Sequence, residues 1–73
     1  MNKNKYILIR FGKKVREERL KKGLSQEDLA SKAGVHRTYI GMIERGEKNI
    51  TLVTIKKVAM ALDLRITQLL NDI

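Results

Sequence analysis

The sequence predicts an all-α fold of five short helices, and three observations lead to that expectation. Apolar residues recur at helical spacings along most of the chain, with no sustained alternation of strand period. Glycines fall between these periodic stretches and proline is absent. The chain has 73 residues and no cysteine, which points to one domain near the lower limit for a self-sufficient core. That single domain is expected over residues 1–73, with a short N-terminal arm at 1–8.

The first helix is expected over residues 9–22, where Phe11, Val15 and Arg19 share one face. Gly23 can end it in the left-handed conformation, and Lys21 and Lys22 suit the negative end of its dipole. Ser25 opens the second helix. Ser25-Gln26-Glu27-Asp28 resembles a capping box with Asp in place of the usual Glu or Gln, and its acidic pair complements the positive helix start. Leu29, Ala30 and Ala33 form a narrow face of mostly small residues, which lets a neighbouring helix come close, and Gly34 ends the helix. At most three residues, 34–36, separate it from a third helix at 37–45, and so short a link forces a sharp angle. Gly46 stops the third helix. Thr51 caps a fourth at 52–62, whose period runs through Leu52, Ile55, Val58, Ala59 and Leu62. Asp63 stands where a helix-ending glycine is common and tolerates the left-handed region better than most residues. A fifth helix, at 66–71, offers Leu69 and Leu70 to the core.

Lysine and arginine number 16 against 8 acidic residues, for a net charge of +8. That balance favours a polyanion: nucleic acid first, an acidic membrane surface second, an acidic protein third. The structural alternative is a solvated basic surface. Two Tyr and one Phe argue against a single-strand binder that stacks bases on exposed rings. No apolar run approaches the ~20 residues of a membrane span. A single histidine without cysteine argues against a metal site, and no nucleophile with its base or phosphate loop is present, so neither cofactor nor enzyme activity is expected. The absence of cysteine fits a cytoplasmic protein.

Residues 34–46, GVHRTYIGMIERG, carry the functional signal. Two helices joined by a tight glycine-containing turn form a helix-turn-helix, here at about 25–45, whose second helix enters the DNA major groove with its N-terminal residues at the base edges. Ile40 and Ile43 would anchor that helix, leaving its polar start for DNA. The stretch LSQEDLASKAGVHRTYIGMIERGEKNITLVTIKKVAMALDL, residues 24–64, resembles the Cro/repressor-type helix-turn-helix family. The resemblance rests on Leu24, Ser25, Gln26, Leu29, Ala30, Gly34, Val35, Ile40, Glu44 and Gly46, and it extends from Phe11 to Leu70. HRTYI followed by IERGEKN is most similar to the controller proteins of restriction-modification systems. The resemblance implies a compact five-helix, lambda-repressor-like bundle that binds double-stranded DNA as a homodimer. Glu18 stands where many members carry an apolar residue, with Leu20 as the compensating side chain.

Chemistry and resemblance assign roles residue by residue. Arg37 matches the paired acceptors of guanine, a pairing worth about 1–3 kcal/mol of discrimination, with a phosphate contact as the alternative. Thr38 offers a hydroxyl to a base and a methyl to thymine. Met42 lies on the same outward face, for a thymine methyl or as a gap filler. Gly41 either lets DNA approach the backbone or is a tolerated surface glycine. Gln26, His36, Tyr39, Arg45, Lys48 and Asn49 are the candidate phosphate contacts, with His36 also a candidate N-cap. Arg19 and Glu44 are expected to pair and fix the third helix to the first. For a dimer, Ile50, Val53, Leu70 and Ile73 are the candidate interface, while Leu52 and Leu69 are assigned to the core. The function expected is a transcriptional regulator on a pseudo-palindromic operator, a controller ahead of a prophage-type repressor, with RNA polymerase as a further candidate partner. An antitoxin using the same domain is the alternative from another class.

Overall fold

The computed structural model describes residues 3–73, with side chains from residue 5 onward. Among the described residues the fold is all-α: α1 (Lys3–Lys21), α2 (Gln26–Ala33), α3 (Arg37–Glu44), α4 (Leu52–Ala61) and α5 (Ile66–Leu69). α1 and α2 pack on α3, α4 packs on α2, and α5 closes the base between α1 and α4. The core joins Phe11 and Val15 of α1, Leu29, Ala30 and Ala33 of α2, Ile40 and Ile43 of α3, Val58, Ala59 and Leu62 at α4, and Leu69 of α5. Burying a large apolar side chain is worth about 1.5–3 kcal/mol. α5, with Leu69 as its one fully buried side chain, is therefore the most lightly held helix.

The caps explain the helix bounds. Asp63 takes a φ of 59° after α4, as expected of it. α5 is shorter than the expected 66–71, because the chain turns at Leu70 and Asp72 enters the left-handed region at φ 64°. α1 differs more. An arm was expected at 1–8, but residues 3–8 continue the helix, and residues 1 and 2 lie outside the described residues. The physical reason is tertiary. Ile7, Leu8 and Phe11 border one apolar concavity with Ile50, Ile55, Leu70 and Ile73, so the early turns have something to pack near, which no local cap announces.

α1 crosses the end of α3 at backbone distance. A Cβ on Gly12 would lie 2.7 Å from the carbonyl oxygen of Glu44, closer than real side chains come. Glycine at this position is thus what allows α1 to approach α3.

Two apolar expectations fail on geometry. Glu18 is itself buried, with Lys21 Nζ at 3.0 Å and Lys14 Nζ at 3.7 Å from its carboxylate, and Leu20 is exposed rather than compensating. The lysines supply what an apolar neighbour would have supplied, and the Lys21 hydrogen bond holds the Glu18 carboxyl below its ordinary range. Leu52 belongs to the period of α4 but sits in its first turn, beyond the core edge, and is 67% exposed. Leu69 is in the core, as assigned.

Candidate nucleic-acid interface

α2 begins with a reciprocal cap. Ser25 Oγ accepts from the Asp28 N–H at 2.9 Å, and the Asp28 carboxylate accepts from the Ser25 N–H at 3.0 Å. The second bond holds the Asp28 carboxyl below its usual range. α2 ends at Gly34, whose φ of 71° lets the chain turn while the Val35 N–H donates to the Ala30 carbonyl at 3.0 Å. His36 then caps α3: its Nδ1 accepts from the Thr38 N–H at 3.2 Å. Three residues, 34–36, join the two helices, the spacing of a helix-turn-helix.

The inner side of α3 is anchored twice. Ile40 and Ile43 are fully buried, and Glu44 is the acceptor at the centre of a polar network. Arg19 donates to it through Nε at 2.7 Å and Nη2 at 3.0 Å, a bidentate pair with both side chains buried. The same guanidinium donates to the Leu24 carbonyl at 2.9 Å through Nη1, and Gln26 Nε2 donates to Glu44 Oε1 at 3.1 Å. The expected Arg19–Glu44 pair is thus present, and it also ties down the start of α2. Among the described residues no buried side-chain polar atom lacks a partner, as a network at this depth requires.

The outer side is polar. His36, Arg37 and Thr38 are exposed together at the start of α3. Tyr39 and Met42 are half-buried. Lys48 Nζ lies 5.8 Å from the centroid of the Tyr39 ring, within cation–π range, which brings two candidate phosphate contacts side by side. Arg45 is exposed and bonded through Nε to Glu47 at 2.9 Å. Asn49 is exposed and borders the apolar concavity beside Ile50. Gly41 is not a surface glycine: it is buried beneath the ends of Arg45 and Gln26.

Of the candidate interface residues, Val53 is 65% exposed beside exposed Leu52. Ile50, Leu70 and Ile73 are half-buried and line the concavity. Sequence reasoning missed the Gln26–Glu44 bond, the Glu47 partner of Arg45 and the role of Gly12. Only the last left a signal, a glycine in the middle of a helical run. No described helix is long and apolar enough to cross a membrane.

Comparison with known proteins places this geometry. The helix-turn-helix family matches residues 15–69. The control protein C.BamHI of Bacillus amyloliquefaciens is 47% identical over 66 residues, 89% of this chain and 82% of its own. The crystal structure of the restriction-modification controller protein C.AhdI from Aeromonas hydrophila superposes with a TM-score of 0.83 at 50% identity, covering 85% of this chain and 94% of that one. SinR, a master regulator for biofilm formation solved in complex with DNA, superposes with a TM-score of 0.78 at 35% identity, covering 84% and 98%.

Proposed function

The chain belongs to the helix-turn-helix family, and on that premise we propose that it is a transcriptional regulator of the restriction-modification controller type, binding a pseudo-palindromic operator as a homodimer in the cytoplasm. It is a regulator rather than an enzyme, as are the control proteins and transcriptional regulators it resembles. The observation that carries the reading is α3: Arg37 and Thr38 stand free at its start, while its other side is locked to α1 and α2 through Glu44. Rigid support with exposed donors suits a helix that must present side chains to base edges within about half an ångström.

In this reading Arg37, Thr38 and Met42 face the bases; Gly41, expected among them, is covered by the ends of Arg45 and Gln26 and does not. Gln26, His36, Tyr39, Arg45, Lys48 and Asn49 hold the phosphates, with the α2 N-terminus adding backbone donors at Gln26. Two copies joined near Val53 and the apolar concavity set two α3 helices about 34 Å apart, one helical turn of DNA. RNA polymerase touches such a dimer when the operator adjoins a promoter, and is blocked by it when the two overlap.

The test is selection of duplexes from a random library. The wild-type protein should enrich a two-fold symmetric site, and Arg37→Ala should flatten one symmetric base position, a loss of about 1–3 kcal/mol of discrimination. A wild-type pool without enrichment rejects the regulator reading. An unchanged preference in Arg37→Ala removes Arg37 as a base reader.

A further inference from the structure

Gly41 lies in the middle of α3, one turn from Arg37 and one turn from Arg45, so the three positions share a stripe of the helix. It is buried nonetheless, and what covers it is polar. A Cβ at residue 41 would lie 3.1 Å from Arg45 Nη1 and 3.7 Å from Gln26 Oε1. The Arg45 guanidinium lies against the glycine with its outer side open to solvent. Its Nε bonds to the Glu47 carboxylate at 2.9 Å, with both side chains at least half exposed. Lys5 of α1 adds a further positive field at Glu47. In the free protein, then, an oxyanion already occupies a cation that stands among the candidate phosphate contacts.

We propose that Glu47 is a specificity-determining residue: it serves as an internal stand-in for a DNA phosphate at Arg45, and side-chain-free Gly41 provides the seat on which the guanidinium is held. This rests on the DNA-binding reading above. A random duplex, engaged loosely, leaves the Arg45–Glu47 bond intact and gains nothing from Arg45. On the operator, base contacts seat α3 fully and the phosphate replaces Glu47. Removing the carboxylate therefore gives random DNA a whole new contact. The operator complex gains only the small amount lost in breaking an exposed ion pair.

The experiment compares wild type and Glu47→Gln on two probes, a duplex selected by the wild-type protein and a scrambled duplex of equal length, across a salt series. In Glu47→Gln, affinity for the scrambled duplex should rise about five- to tenfold and its salt slope steepen by about one unit. Affinity for the selected duplex should rise only about two- to threefold, the scale of an exposed ion pair. On an Arg45→Ala background the same change should leave the ratio of the two affinities unmoved, as coupling through Arg45 demands. Gly41→Ala should raise the melting temperature by a few degrees, since alanine favours helix over glycine, and lower the ratio in the same direction. A ratio unchanged in Glu47→Gln overturns the inference while leaving the regulator reading intact, provided wild type prefers its selected duplex. Wild-type indifference between the probes overturns both. A ratio unchanged in Gly41→Ala removes the glycine seat.

Discussion

At the scale of single residues, the proposed DNA surface separates side chains that read from side chains that grip, and the two kinds fail differently. Arg45→Ala should weaken binding to the operator and shallow its salt dependence by about one unit of slope, since each phosphate contact releases about one counterion, while a scrambled duplex, which leaves Arg45 on Glu47, should lose little. Equal slopes for mutant and wild type, measured by titration over a salt series, would reject a phosphate role. Arg37 should instead cost selectivity. Both residues are candidates already in the sequence because type and position coincide: a forked cation in the first turn of the third helix, and another just past its end. Glu47 was not recognisable, since an acidic residue two positions after an arginine announces no particular geometry. Glu18 shows the same limit. Its burial follows from the fold around it, and Lys14 and Lys21 satisfy it only because the i, i+4 and i, i+3 spacings of α1 place them there.

At the scale of elements, α2 and α3 behave as one unit tied to α1. Glu44→Ala leaves Arg19 buried without its counter-ion, and a loss of roughly 3–5 kcal/mol is expected in chemical denaturation. A change below about 1 kcal/mol would mean that the pair behaves as an exposed one. The α2 cap makes a pH prediction. The Asp28 carboxyl is held below its usual value chiefly by the Ser25 N–H. Its contribution is fully present above the unfolded-state value and is lost as pH falls through the lower folded value. The stability advantage of wild type over Asp28→Ala should therefore persist at neutral pH and close in acid; thermal melts between pH 2 and 6 would show a constant gap if the cap played no part. This cap was legible from four consecutive residues. The start of α1 was not, because what its Ile7 and Leu8 face lies in α4, the loop before it and the chain after α5.

At the scale of the whole molecule, the domain measures 32 × 24 × 21 Å. The proposed two-fold dimer needs its α3 helices about one turn of DNA apart, ~34 Å, a span comparable with the long dimension of one domain. Val53 is exposed in the first turn of α4, where an acidic residue suits the positive end of the helix dipole. Val53→Asp should leave the fold intact and place a charge in the proposed interface. Sedimentation should then show monomer at concentrations where wild type is dimeric, with at least a tenfold loss of operator affinity. A dimer of unchanged stability would move the interface elsewhere. The charge of +8 per chain adds a long-range attraction for DNA that either assembly retains.

By itself the sequence determined the helical class, the sharp turn after Gly34, the caps at Ser25 and Asp63 and the Arg19–Glu44 pair, the last through the family resemblance. The first three are set by residues within a few positions of one another, where periodicity and backbone preference act directly. Tertiary structure decided how far α1 extends, that Leu52 and Leu20 face outward while Glu18 is buried, and that Gln26 and Arg45 meet over Gly41. Each of these depends on which helix lies opposite, and the spacing of residues within one helix is silent about its neighbour across the core.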